Sequence, residues 1–246
     1  MRAVVVVPTY EEAGNISALL HQIRATTPSV RVIVVDDNSS DGTASIAESV
    51  GEEVGGVEVL RRWGKDGLGA AYQAGFSLAL ERGADIVVSM DADLSHDPDA
   101  LGALIGTIED GADMAIGSRY MAGGRIDDWP AHRRALSQWG NRYANAALQL
   151  QLNDATSGYR AYRASVIRDV GLARVRASGY GFLIEMAYRV TRSGGKIVET
   201  PITFLDRRWG SSKISIRSIV EAAVLVTVWG ARDRVGAFVQ RRPVTR

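Results

Sequence analysis

The sequence predicts an α/β fold: a twisted, mostly parallel sheet with helices on both faces. Three observations carry this prediction. Short continuous apolar runs recur along the first half, as strands buried on both faces require. Between them lie segments with apolar residues three and four apart, the helical period. Several runs end abruptly in small polar or acidic residues, the composition of loops at the ligand-binding edge of such a sheet. A chain of 246 residues suits one large domain with a substantial core.

The elements follow in order. Residues 3–8 hold four consecutive valines and read as the first buried strand, stopped by Pro8. Residues 15–25 set Ile16, Leu19, Leu20 and Ile23 on one helical face. Residues 30–35 form the second strand, closed by Asp36-Asp37-Asn38-Ser39-Ser40-Asp41-Gly42. A short helix over 43–50, a strand over 57–60, a helix over 68–82 and a strand over 86–90 come next. A helix over 99–110 and a strand over 114–118 complete the regular part. The second half is less periodic. It predicts helices over 135–150, from 165, over 182–191 and over 215–229, with a strand over 196–204 and a loop or short strand over 156–160. With no internal repeat or low-complexity linker, the expected organisation is one domain over 1–213 and a helix with a basic tail over 214–246.

Net charge is +1, so the global balance calls for neither nucleic acid nor membrane. Its distribution is uneven: acidic clusters lie early, whereas Arg and Lys crowd the region after Arg119. The chain has no cysteine, which removes disulfides and thiolate metal sites and is compatible with a reducing compartment. The first residues do not read as a signal segment, and no stretch has the length needed to span a bilayer. A cytoplasmic location is therefore expected.

The apolar run Ile86-Val87-Val88-Ser89-Met90 ends in Asp91-Ala92-Asp93. Two carboxylates at the carboxyl end of a strand suit a divalent cation held against nucleotide phosphates. Acidic residues are also ordinary in loops, and Asp97-Pro98 is itself a turn or helix-start signal. In Pro8-Thr9-Tyr10-Glu11-Glu12, Tyr10 can stack on a base and Glu12 can accept from ribose or base; the same segment also reads as a plain turn with Asn15 helping to cap the next helix. Asp37 is placed to bond a base or a ribose hydroxyl, whereas Asp41 fits a helix N-terminus. Gly67-Leu68-Gly69 allows either a close approach to phosphate or a flexible turn. No G-x-G-x-x-G follows the first strand and no G-x-x-x-x-G-K-[ST] occurs, so dinucleotide-dehydrogenase and P-loop readings lose their main support.

Taken as an ordered set, these motifs resemble the GT-A glycosyltransferases of the inverting family-2 type, and within them the dolichol-phosphate and polyprenol-phosphate mannose synthases. The set continues through Gly117-Ser118-Arg119-Tyr120, Asp154-Ala155-Thr156-Ser157-Gly158-Tyr159-Arg160, Gly179-Tyr180-Gly181-Phe182 with Glu185, and Glu199-x-Pro201-Ile202-x-Phe204-x-x-Arg207-x-x-Gly210-x-Ser212-Lys213. It covers roughly residues 5–213. The resemblance implies a GT-A fold and transfer of mannose from GDP-mannose to dolichyl or polyprenyl phosphate with inversion. It implies that Pro8, Tyr10, Glu12, Asp37 and Asp91 contact guanosine and ribose. Ala92, Asp93, Arg119 and Lys213 join them around the nucleotide sugar, and Asp91 and Asp93 hold Mg²⁺ or Mn²⁺. Arg119, Arg133, Ser137 and Arg207 take the lipid phosphate, with Asp91, Asp93, Arg119 and Arg133 as the catalytic set. Some relatives carry Gln where this chain has Ser95, and Asn where it has Glu11.

The chemistry agrees with an acceptor of this kind. A phosphomonoester carries roughly −1.5 to −2 charges at pH 7. It is already a nucleophile and needs positioning by arginines more than a general base. The last predicted helix has a broad apolar surface, Ile216, Ile219, Val220, Ala223, Val224, Val226 and Val228, flanked by Arg217, Arg232, Arg234, Arg241 and Arg242. Such a segment suits either the interface of an anionic membrane, as a peripheral attachment on the cytoplasmic face, or packing on the core with a basic tail behind it. Competing readings keep the fold with UDP-glucose as donor or a soluble acceptor, or reduce the protein to a nucleotide-sugar-binding regulator.

Overall fold

The computed structural model describes residues 1–177, 179–206 and 216–240. The first half follows the predicted alternation: β1 (Ala3–Thr9), α1 (Ile16–Thr26), β2 (Arg31–Asp36), α2 (Thr43–Val54), β3 (Val57–Arg61), α3 (Leu68–Glu81), β4 (Ile86–Ser89), α4 (Leu101–Glu109) and β5 (Met114–Ser118). The second half adds β6 (Arg125–Ile126), α5 (Ala131–Leu148), β7 (Arg160–Arg163), α6 (Ala164–Val170), α7 (Gly179–Arg192), β8 (Ile197–Pro201), β9 (Thr203–Phe204) and α8 (Ile216–Gln240). A seven-stranded sheet runs β3-β2-β1-β4-β7-β5-β8. All neighbours are parallel except β7, which lies antiparallel between β4 and β5.

The valine run of β1 shows why alternation is missing from the sequence. Val5 and Val7 pack on one side with α1, α2 and α4, while Val4 and Val6 pack on the other with α3, α6 and α7. Successive side chains point to opposite faces, and both faces are covered. A third cluster joins α5, α7 and α8 through Ala144, Leu148, Ile184 and Val226.

Several second-half elements differ from expectation. β7 begins where the sequence predicted a loop or short strand to end, because its edge residues are arginines and carry no strand pattern. Arg160 is nonetheless fully buried, donating to the backbone oxygens of Ala155, Ser157 and Leu183. The single strand predicted over 196–204 is two: Ile202 donates to the Ser118 carbonyl, and the chain then leaves the large sheet to pair β9 with β6. β6 has two residues, below the length at which periodicity is visible. Helix α5 starts after Pro130, four residues earlier than predicted, and α8 runs to Gln240.

Candidate active site

The carboxyl ends of β1 and β2 form the first part. Asp36 is buried and accepts from Thr9 Oγ1 (3.0 Å), Ser39 N (2.9 Å) and Ser39 Oγ (2.6 Å). Asp41 accepts from Ala13 N (3.0 Å) and Thr43 N (3.0 Å), which ties the two loops together. Burial opposes the charge on Asp41, but the bonds from Thr43 and Ala13 outweigh it and hold its carboxyl below the usual range. Asn15 occupies the N-cap position of α1, yet its side chain makes no capping bond; Nδ2 donates instead to Glu12 Oε2 (2.8 Å). Pro8 and Tyr10 lie at the same edge, and Lys65 Nζ sits 3.8 Å over the Tyr10 ring. Asp37 is buried and ion-paired with Arg62, which also reaches Asp66 at 3.0 Å. Burial raises the Asp37 carboxyl against the pull of Arg62.

Asp91, Ala92 and Asp93 follow β4. Tyr72, buried on α3, donates through its hydroxyl to Asp91 Oδ1 (3.1 Å). The Asp91 amide donates to His96 Nδ1 (3.0 Å). His96 is buried against Tyr159, and that burial pushes its imidazole below the usual value despite the nearby carboxylates. Asp93 Oδ1 accepts from Ser95 N (3.1 Å) and Ser95 Oγ (2.5 Å). Ser95 thus orients Asp93. Asp93 is buried, while about a third of the Asp91 side chain (34%) is exposed. Among the described residues no group of three or more His, Cys, Asp or Glu side chains is arranged to hold a metal. Two oriented carboxylates with only oxygen donors fit Mg²⁺ or Mn²⁺, hard cations that complete their shell from water and phosphate.

The third part belongs to the second half. Arg119 follows β5 and meets buried Asp154 side by side: Nε to Oδ2 at 2.6 Å and Nη2 to Oδ1 at 2.8 Å. Nη2 also reaches Thr156 Oγ1 at 2.9 Å. Burial alone would raise the Asp154 carboxyl, but the Arg119 guanidinium and the hydrogen bonds around it hold it below the usual range. Asn141 of α5 donates to Asp154 Oδ1 (3.2 Å) and accepts from Thr156 N (3.1 Å). Glu199 of β8 accepts from Asn153 N and Asp154 N, both at 2.8 Å. Arg133, Ser137 and Asn141 are four residues apart on α5 and so share one helical face. Arg133 Nη1 donates to Asp206 Oδ1 at 3.0 Å. Arg119, Arg133 and Ser137 line one cleft of about 190 Å³ with Trp129 and Thr156. The rest of its wall is apolar, from Leu136 and Tyr143 on α5 to Ile184 on α7 and Ile219, Ala222 and Val226 on α8.

The structure therefore gathers the expected residues into two groups. Pro8, Tyr10, Glu12, Asp37, Asp91, Ala92 and Asp93 lie at the ends of β1, β2 and β4; Arg119, Arg133 and Ser137 lie in the cleft. Arg207 and Lys213, expected at the phosphates, lie outside the described residues. Arg119 enters the cleft lining with its charge shared with Asp154. Sequence reasoning assigned no role to Tyr72, His96, Trp129, Asn141 or Asp154. The segment from Asp154 to Arg160 was visible as a motif, but its contact with Arg119 was not.

Residues 4–171 match the profile described as glycosyl transferase family 2. The chain belongs to that family. It is 45% identical over 234 residues to an undecaprenyl-phosphate mannosyltransferase of Micrococcus luteus, covering 95% of this chain and 96% of the relative. It is 42% identical over 235 residues to a polyprenol monophosphomannose synthase of Mycolicibacterium smegmatis, covering 95% and 89%. The crystal structure of a glucosyl-3-phosphoglycerate synthase from Mycobacterium tuberculosis superposes with a TM-score of 0.69 at 19% identity, over 96% of this chain and 80% of that one. The family 2 glycosyltransferase thus has the expected GT-A fold.

Proposed function

We propose that this glycosyltransferase moves mannose from GDP-mannose to a polyprenyl or dolichyl phosphate, giving a β-linked polyprenyl phosphate mannose. The observation that carries the reading is the cleft, which joins guanidinium groups to an apolar trough on one wall of which lies α8. That combination suits a ligand with an anionic head and an isoprenoid tail. Two relatives covering nearly the whole chain bear names of polyprenyl-phosphate mannosyl transfer.

In this reading Tyr10, Glu12 and Asp37 bind the nucleoside. Asp91 and Asp93 hold Mg²⁺ or Mn²⁺, oriented by Tyr72 and Ser95. Held there, a divalent cation would supply charge neutralisation for the departing diphosphate. Arg133 and Ser137 orient the acceptor phosphate, with Arg119 beside them. A phosphate oxygen attacks the anomeric carbon from the face opposite the leaving group; the new carbon–oxygen bond forms as the bond to GDP breaks. No side chain need take a proton, because the acceptor arrives ionised.

Residues 1–213 would form the catalytic domain and 214–246 a membrane-facing extension, attached peripherally at the cytoplasmic face. Among the described residues no helix is long and apolar enough to cross a membrane. Val220, Val224 and Val228 of α8 are exposed at four-residue spacing, and Leu136 and Trp139 are exposed beside the cleft. This surface favours lipid, with Arg232 and Arg234 exposed farther along the helix. The test is transfer of radiolabel from GDP-mannose to polyprenyl phosphate with Mg²⁺ or Mn²⁺, run beside UDP-glucose. Labelled lipid from GDP-mannose alone supports the reading, and its absence with either metal overturns it.

A further inference from the structure

We infer that Trp129 is a positioning residue that sets Arg119 and Arg133 as one anion-binding pair. The inference rests on the acceptor reading above. Both guanidiniums lie over the same indole: Arg133 Cζ is 4.1 Å from the ring centroid and Arg119 Cζ is 5.5 Å from it. These distances fall within the range of cation–π attraction, which is greatest for tryptophan. Arg119 Cζ also lies 5.3 Å from the rings of Tyr120 and Phe204.

Two like charges lining one cleft repel, so something must hold them there. Each has its own carboxylate, Asp154 for Arg119 and Asp206 for Arg133. The indole π face is a contact common to both. The indole itself is anchored by stacking. It meets Phe204 edge to face at 5.3 Å, and Phe204 meets His96 in the same way at 5.5 Å. His96 accepts the Asp91 amide, so a continuous aromatic support runs from the carboxylates of β4 to the arginines of the cleft. Trp129 Nε1 is buried and has no hydrogen-bond partner among the described residues. Ring contact therefore fixes the indole, and another aromatic ring should replace it. Trp129 also stands one turn before Arg133, just ahead of α5.

The test uses the full chain with farnesyl phosphate as probe. Binding is measured by calorimetry, and KM is measured for farnesyl phosphate and GDP-mannose separately. Trp129→Leu and Trp129→Met should each weaken farnesyl phosphate binding about tenfold and raise its KM in parallel. Trp129→Phe, which keeps a ring face, should stay within about threefold of wild type. The KM for GDP-mannose should change less than about twofold in all three, because the nucleoside contacts assigned to Tyr10, Glu12 and Asp37 lie at the ends of β1 and β2 and Arg119 keeps its pair with Asp154. Unchanged acceptor binding in a folded Leu or Met variant overturns the inference, as does an equal loss for donor and acceptor or a Phe variant as weak as Leu. Wild-type protein that binds no farnesyl phosphate overturns the acceptor reading along with it.

Discussion

The two sides of the site are built differently. On the carboxylate side, several bonds order each loop from within: Asp36 holds Ser39, Asp41 holds Thr43, Asp93 holds Ser95 and Asn15 holds Glu12, at separations of two or three, while longer ties such as Asp36 to Thr9 and Asp41 to Ala13 join one loop to the next. On the arginine side, partners are remote. Arg119 meets Asp154 across 35 positions, Asn153 meets Glu199 across 46 and Arg133 meets Asp206 across 73. The carboxylate loops are thus turns ordered from within and then tied to their neighbours at the strand ends, whereas the arginine cleft exists only once β5, α5, β8 and the 153–158 segment have assembled. Damage on the first side should stay local; damage on the second should spread.

The sharpest break of this comparison is Asp93→Ala. It should reduce transfer by about 100- to 1,000-fold, the scale of losing one charge-stabilising group. Its circular dichroism and melting curve should remain close to wild type. Full activity of the unmodified protein after exhaustive chelation would remove the metal role. On the other side, Asp154→Ala leaves Arg119 buried without its partner and should cost about 3–5 kcal/mol. For a chain of this size that is a fall in Tm of roughly 6–20 °C, read by calorimetry. A melting point within a degree of wild type would show that the remote network does not hold the cleft together.

The same carboxylate gives a pH signature. The folded value of Asp154 is depressed, so its contribution is complete above the unfolded value of about 3.9 and is lost as pH falls through the folded one. Stability should therefore drop below about pH 4, and Asp154→Asn should flatten that part of the curve in denaturant titrations at graded pH. A smaller effect is expected for Ser39→Ala, which removes a local bond to Asp36 and the acceptor of the Glu11 amide. It should cost about 1 kcal/mol and raise the donor KM without changing that of the acceptor. The smallest belongs to Arg61→Ala at the exposed pair with Glu48, where the chemical denaturation midpoint should stay at the wild-type value because solvent screens the pair.

This contrast also explains what was legible in the sequence. Val4 to Val7, the helical spacing in 15–25 and the carboxylates after β2 and β4 announce themselves within a few residues, and the fold of the first half is read from them. Arg133 and Ser137 could be picked out through the family resemblance, which their Arg-x-x-x-Ser spacing matches, but not the rotation of α5 that Asn141 fixes through Asp154 and Thr156. Trp129 reads as one more apolar residue before a proline; its meaning depends on Phe204, far along the chain. Tyr72 sits among alanines of a helix that looks like core, and it is core except for its hydroxyl. Arg160, charged and wholly enclosed, contradicts every pattern rule for a central strand.

The reversed strand β7 has a geometric consequence. It separates β4, which ends two residues before Asp91, from β5, which ends before Arg119, by one intervening strand. Neighbouring strands are spaced about 4.8 Å apart, so the insertion sets the two ends about 10 Å apart across the sheet. That width gives room for a sugar flanked by two phosphate groups. Because β7 runs backwards, its N-terminal end, Arg160, pairs with Ser89 at the carboxyl end of β4. The segment before it, with Asp154 and Gly158, is thereby delivered to the catalytic edge. One strand laid in the opposite direction both sets the span of the site and supplies its floor.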